Sequence, residues 1–396
     1  MLLTRPSLPT GLWTAGRVCA RRWNSAPAVS AELRTIVRPA SATVLTDIVA
    51  QTPASGGVVV LATPQYANEL YAAVAAAGGR GGVFGAVVDT IPTGGVRDGV
   101  SYLRTSAPIT LNEKKSMLLR APPATHSHAD KQGRYVTSGG QQWELSKAFL
   151  SLHFGDTGKV TLQAANTLFQ TGVESVLVGP GPAGDDLYAH LALDVPVTVA
   201  LDTAADSAAA FLEPLTTGES LRVTSSKANM LRTINGKPAS SFLEASLAAS
   251  LFLEAPPMKT ALSSTPAKAA AKKDELKARS VYAVLDGGRR VRVIAGGGGW
   301  GARAGMLVLD PELKSIPANS SIAFMISSDA KAAPLAHTDA PRVVFECVEP
   351  EQTLAAADGA EAVVDGVFGA GTENHMLVNG RKLDVYGERC VGAVAA

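Results

Sequence analysis

A carboxylate, an amide and an imidazole stand side by side at Glu373, Asn374 and His375, just after Gly371 and Thr372. Such groups accept, donate and exchange protons, and strand-end loops are where polar ligands are commonly met. The same triplet also suits a plain polar turn. A second candidate is the run Gly296, Gly297, Gly298 and Gly299, followed by Trp300 and Arg303. Each glycine loses more backbone entropy on folding than alanine would, so a run of them fits a place where a ligand or another backbone approaches closely. Arg303 would supply a fork for a carboxylate or phosphate, and Trp300 a stacking face. A bulge or barrel corner with a packed tryptophan is the alternative.

The stretch Gly179-Pro180-Gly181-Pro182-Ala183-Gly184 fits G-x-G-x-x-G, with Asp202 18 residues beyond its last glycine. In a dinucleotide-binding unit those glycines admit a pyrophosphate at a helix N-terminus, and the acid takes a ribose hydroxyl. Two prolines without N–H groups, and Asp185 and Asp186 in the first helical turn, argue instead for a tight strand-to-helix turn. His126, His128 and Asp130 could ligate a metal from one loop, but no partner spacing of Glu or Cys accompanies them, so no metal is expected. The chain contains no G-x-S-x-G, P-loop or H-E-x-x-H motif, and Cys347 and Cys390 are too far apart for a C-x-x-C pair. No cofactor is assigned.

The elements that must position these residues follow from hydrophobic patterning. Val58–Ala62 reads as a strand, Gln65–Ala77 as a helix and Val83–Val88 as a strand. Val343–Cys347, a helix beginning at Glu351 and running to Ala357, and an extended run from Val363 repeat that order. Gly-Val-Phe-Gly-Ala occurs at 82–86 and again at 366–370, which points to an internal duplication of a βαβ unit framing the middle of the chain. Between the copies, Ser175–Val178 reads as a strand, Asp185–Leu193 as a helix and Val195–Leu201 as a strand. Ser220–Ser225 and Ala228–Ile234 read as strands closed by the turn Asn235-Gly236, with a helix from Pro238 to Leu247. Val281–Asp286 and Arg290–Ala295 read as a hairpin around Gly287-Gly288.

Residues 1–31 contain Arg5, Arg17, Arg21 and Arg22 and no acid, the composition of a mitochondrial transit peptide, which places the protein in the matrix. Removing them takes four of 36 basic residues and none of 35 acidic ones, leaving 32 − 35 = −3. That balance, without a dense basic run in a folded segment, argues against nucleic acid. No stretch of about 18 apolar residues is present to span a membrane. Residues 255–279 are rich in Lys, Ala and Pro and read as a linker, dividing the chain into 1–31, 32–254, 255–279 and 280–396.

The two Gly-Val-Phe-Gly-Ala copies, the segment Leu231–Ala239 and the closing Gly369-Ala-Gly-Thr-Glu-Asn374 together resemble the FIST family, sensory domains of bacterial signal-transduction proteins and of an F-box protein. The family's D-G-x-P-A element corresponds to Asn235, Gly236, Lys237, Pro238 and Ala239, with Asn235 in place of Asp. The lysine-rich insertion is a further departure, and no F-box, kinase or output domain accompanies the match. The resemblance implies FIST-N-like and FIST-C-like regions on either side of the linker, and a sensory module for a small polar metabolite such as an amino acid. The sequence thus leads to an α/β (α+β) protein of two related βαβ-containing halves with mixed sheets. It is expected to bind a small polar metabolite through Gly296–Gly299, Trp300, Arg303, Gly371 and Glu373–His375; a protein partner is a separate expectation, with no residues assigned to it. The alternatives are a nucleotide-dependent enzyme using Gly179–Gly184, an uncharacterised transferase, and a structural subunit of a matrix complex.

Overall fold

The computed structural model describes residues 29–41, 43–77, 82–92, 96–118, 128–129, 135–136, 142–143, 148–165, 177–180, 186–202, 210–215, 220–253, 279–296, 305–311, 313–328, 340–349 and 360–395. The first unit consists of β1 (Ala31–Val37), α1 (Val44–Ala50), β2 (Gly57–Ala62), α2 (Ala67–Ala76), β3 (Val83–Val87) and β4 (Gly99–Thr105). β2 and β3 run parallel with Val58 opposite Val83, while β4 lies antiparallel to β2 and β1 antiparallel to β4. β2 is apolar throughout because both of its faces are covered. Val59 and Leu61 enter a core shared with the rest of the chain, whereas Val58, Val60 and Ala62 meet Leu70 and Val74 of α2 and Leu45 and Ile48 of α1. Each such side chain contributes about 1.5–3 kcal/mol by leaving water.

The sheet continues through β5 (Phe149–Phe154), β6 (Gly158–Gln163), β7 (Leu177–Gly179) and β8 (Asp186–Val195), after which β9 (Val199–Asp202) leaves for a second sheet. The helix expected over Asp185–Leu193 is therefore a strand. Its Ala and Leu content favours helix locally, but β7 and β5 hydrogen-bond along its two edges, and that pairing outweighs a propensity of a few tenths of a kcal/mol per residue. β7 and β8 are antiparallel, with Gly179 opposite Asp186. Gly179 thus ends β7, and a strand begins at Asp186 where a dinucleotide-binding unit requires its pyrophosphate-binding helix.

A closed six-stranded antiparallel barrel follows, built from β10 (Leu221–Lys227), β11 (Met230–Ile234), β12 (Val281–Leu285), β13 (Arg289–Gly296), β14 (Leu307–Leu309) and β15 (Ser321–Ser327). The ring runs β15-β10-β11-β14-β13-β12 and closes through pairing of β12 with β15. Val223, Leu231, Leu285, Val291, Leu307 and Phe324 fill it, as the narrow bore of a small barrel requires. Its strands come from both sides of residues 255–279. Asn235 and Gly236, with φ of 47° and 76°, form the tight turn after β11. Helix α3 (Ala239–Leu253) then packs Phe242, Leu243 and Leu247 against the barrel core.

The second unit comprises β16 (Arg342–Cys347), β17 (Ala362–Asp365), β18 (Val367–Thr372), β19 (Met376–Val378), β20 (Arg381–Leu383) and β21 (Arg389–Val394). β16 is parallel to β18 and antiparallel to β21, which pairs with β9, so the order β18-β16-β21-β9 repeats the β3-β2-β4-β1 of the first unit. The register repeats too: Gly85 stands opposite Val60, and Gly369 opposite Val344. Gly369 has φ +154°, and a Cβ there would fall 1.7 Å from the Val344 carbonyl oxygen. The helix expected over Glu351–Ala357 lies outside the described residues. The two units face each other across one core that includes Phe84, Phe345 and Phe368. No described helix is long and apolar enough to cross a membrane.

Candidate functional site

The two copies of Gly-Val-Phe-Gly-Ala end in acids at equivalent places, Asp89 and Glu373, and the fold brings these acids together. The Glu373 backbone N–H donates to Asp89 Oδ2 at 2.9 Å, and Thr90 bridges to Gly371. Arg97 reaches over from the β3–β4 connection, donating to Glu373 Oε1 and, at 2.8 Å, to the Glu349 carbonyl oxygen. Burial, and secondarily the charge of Glu373, push the Asp89 carboxyl up to about 6, against the opposing pull of the Glu373 N–H, Arg97 and Thr372. Gly371 is a packing residue of this junction: a Cβ there would lie 2.0 Å from Thr90 Oγ1.

Next to the junction lies a cavity of about 360 Å³ between the barrel and the second unit. Asn374 and His375 form one part of its wall, and the β12–β13 hairpin of the barrel supplies Tyr282, Arg289, Arg290 and Arg292, with Lys382, Asp384 and Asp310 completing the polar lining. β13 alternates: Val291 and Val293 join the barrel core, so Arg290 and Arg292 project from its other face. Arg292 donates to the Glu373 carbonyl oxygen at 3.5 Å and to the Tyr386 hydroxyl, with its guanidinium 5.8 Å from the Tyr386 ring centroid. Burial lowers the basicity of Arg292, but Tyr386, together with Tyr282 and Asp310, offsets this and the net shift is upward.

Arg290 lies 3.4 Å from both Asp384 and the fully buried Glu388, whose other oxygen accepts the backbone N–H groups of Asp384 and Val385 at 2.8 and 2.9 Å. Burial raises the Asp384 carboxyl despite Arg290 and Lys382. The Tyr282 hydroxyl is buried and makes no hydrogen bond of ordinary geometry, although the Tyr386 backbone is among its polar neighbours; burial raises it strongly. The wall therefore carries four Lys or Arg side chains against two Asp, with Asp384 already engaged by two of the four. An anionic group is the complement such a wall favours.

The structure thus joins Asn374 and His375 in one cavity and places Glu373 beside it through its carbonyl. Gly296 ends β13, while Gly297, Gly298, Gly299, Trp300 and Arg303 lie outside the described residues. Asn235, Gly236 and Pro238 belong to the barrel hairpin, where the Asn235 side chain accepts from the Arg222 N–H and donates to the Ser220 carbonyl oxygen; they do not line the cavity. His128 falls in a short strand whose side chains are not described. Arg97, Arg290, Arg292, Lys382 and Asp384 were not foreseen. The signal for two of them is the alternation Arg290-Val291-Arg292-Val293, a strand with one apolar and one basic face. Cys347 and Cys390 are buried with their thiols pushed up by that burial, Cys390 to about 12, which makes them packing residues. No protein-family model, curated protein or solved structure matches the chain.

Proposed function

We propose that the protein is a non-enzymatic, FIST-like sensory module of the mitochondrial matrix that binds a small polar metabolite bearing an anionic group, in the cavity between the barrel and the second unit. The observation that carries the reading is the meeting of Asn374 and His375 with Arg289, Arg290 and Arg292 around one cavity. Arginine forks suit carboxylates, and the amide and imidazole add orienting donors and acceptors. A cavity of about 360 Å³ lies at the small end of the range for ligand pockets, and so suits an amino acid or organic acid better than a dinucleotide. The nucleotide-dependent alternative loses its sequence support, because a strand follows Gly179–Gly184.

The test is thermal unfolding of the chain from Glu32 onward against amino acids, organic acids and nucleotides. A ligand at a hundredfold excess over its dissociation constant stabilises the native state by about 2.7 kcal/mol. An upward shift with one amino acid or organic acid, abolished by Arg289→Ala, supports the reading. A shift with nucleotides alone, or with none of these compounds, rejects it.

A further inference from the structure

Asn-Gly occurs twice in the chain, in closely similar surroundings: Ile234-Asn235-Gly236-Lys237 and Val378-Asn379-Gly380-Arg381. Both make two-residue hairpin turns, between Ile234 and Lys237 and between Val378 and Arg381, with positive φ at each central residue. In both, the asparagine N–H donates to, and its Oδ1 accepts from, the backbone of a single residue on another strand. That residue is Arg222 for Asn235, at 2.9 Å each way, and Lys159 for Asn379, at 2.8 Å each way. Asparagine before glycine is also a chemically labile step, because the glycine nitrogen can attack the side-chain amide carbon with no Cβ to hinder the approach.

All four residues are exposed, so access to water does not separate the two turns; the reacting atoms do. Asn235 Nδ2, the leaving group, donates to the Ser220 carbonyl oxygen at 3.2 Å, and the Gly236 N–H, the nucleophile, donates to Thr224 Oγ1 at 3.0 Å. Asn379 Nδ2 and the Gly380 N–H make no hydrogen bond among the described residues. Ring closure also deforms the turn. Among the described residues β20 pairs with β19 alone, at the end of the long sheet, whereas β11 is held between β10 and β14, so the turn at Asn379 opens at lower cost. From this comparison we infer that Asn379 is a site of spontaneous deamidation and isoaspartate formation, and that Asn235 is protected. The Gly380 nitrogen gives its proton to water or hydroxide and bonds to Asn379 Cγ, while the Cγ–Nδ2 bond breaks and ammonia leaves. Water then opens the resulting succinimide at either carbonyl carbon. Opening at Cγ gives aspartate, and opening at the main-chain carbon gives isoaspartate. The isoaspartyl product adds a methylene to the main chain inside a two-residue turn, at the start of the strand that carries Lys382 to the cavity wall. The site is independent of the function proposed for that cavity.

Incubation of the full chain at pH 8 and physiological temperature, with digestion in mild acid and peptide mass spectrometry over time, tests this. Asn379 should deamidate at least about tenfold faster than Asn235, the factor set by the two further hydrogen bonds that hold Asn235 and Gly236. Two products of equal mass, aspartate and isoaspartate, should separate on chromatography of the peptide containing Asn379. In the urea-unfolded chain the two sites should react at similar rates, because their neighbours in sequence match. Thr224→Val, an exposed change, frees the Gly236 N–H and should speed the reaction at Asn235 by about threefold or more while leaving Asn379 unchanged. Equal rates in the folded chain, a faster reaction at Asn235, or no reaction at Asn379 would each overturn the assignment. So would a difference that persists on unfolding, which would place it in the local sequence, or an Asn235 rate unmoved by Thr224→Val.

Discussion

The two βαβ units share strand order, register and a pentapeptide, yet they differ at positions that correspond one to one. In the first unit Ala62 stands opposite Val100, and both face helices α1 and α2 in an apolar layer. In the second the same pair of positions holds Glu346 and Arg389, a buried ion pair 3.2 Å apart with both side chains about 5% exposed. The strand-end acids diverge as well. Asp89 is buried and held toward its neutral form, whereas Glu373 is paired with Arg97 and lends its carbonyl to Arg292. The repeated positions make the frame, and of the departures Glu373 is the one tied to the polar cavity, through its carbonyl oxygen on Arg292. The repeat supplies two equivalent strand ends, and the residues that follow the second, Asn374 and His375, line the arginine-rich cavity.

The largest effect that sharpens this comparison is expected at the paired glycines. Gly369→Ala should cost more than about 4 kcal/mol, or prevent folding, because the obstructing atom is the Val344 backbone oxygen. Gly85→Ala meets the Leu70 side chain at 2.9 Å, which can shift, and should cost about 1–3 kcal/mol. Urea unfolding of both variants measures the difference, and equal costs would break the proposed asymmetry. Next, Glu346→Gln leaves Arg389 buried without its charge partner and should cost about 3–5 kcal/mol, whereas Glu346→Ala combined with Arg389→Val copies the first unit and should cost less than the single change. If the double variant is the less stable of the two, the second unit's outer face is not simply a polar version of the first.

A smaller effect follows from Asp89. Its folded carboxyl binds a proton more tightly than in the unfolded chain, so as pH rises from about 4 through about 6 the native state loses stability relative to the unfolded one. Asp89→Asn should remove that loss, matching the parent near pH 4 and exceeding it by about 1–3 kcal/mol above pH 7. Melting curves across this range check the sign, and a variant less stable at neutral pH would show that the charge of Asp89 is needed. Smallest is Glu373→Gln. Its ion pair with Arg97 is partly exposed, 18% and 29% for the two side chains, so about 1 kcal/mol or less is expected in the same melts.

What the sequence revealed divides along physical lines. Val58–Ala62, Val343–Cys347 and the repeated pentapeptide were legible because consecutive β-branched residues and glycine punctuation are local signals. So were the Asn235-Gly236 turn and the Gly287-Gly288 hairpin. The strand at Asp186–Val195 was misread as a helix because its pairing with β5, about forty residues earlier, and with β7 makes it a strand, and neither pairing shows in its own residues. The barrel escaped notice because its closure joins β12 to β15 and β15 to β10 across a long intervening segment. In the cavity, Asn374 and His375 stood out as a polar triplet with Glu373, but Arg290 and Lys382 belong to different elements and meet only in three dimensions.

The most direct measurement is the shift in unfolding midpoint with the amino acid or organic acid that stabilises the parent most, repeated on Arg289→Ala and His375→Ala. Arg289 is exposed on its hairpin, so its removal should spare the fold. The account predicts that the parent's shift falls to near zero in Arg289→Ala and is reduced in His375→Ala, while both variants unfold at close to the parent's temperature without ligand. A full shift retained in both variants would place the ligand elsewhere and contradict the assignment of this cavity.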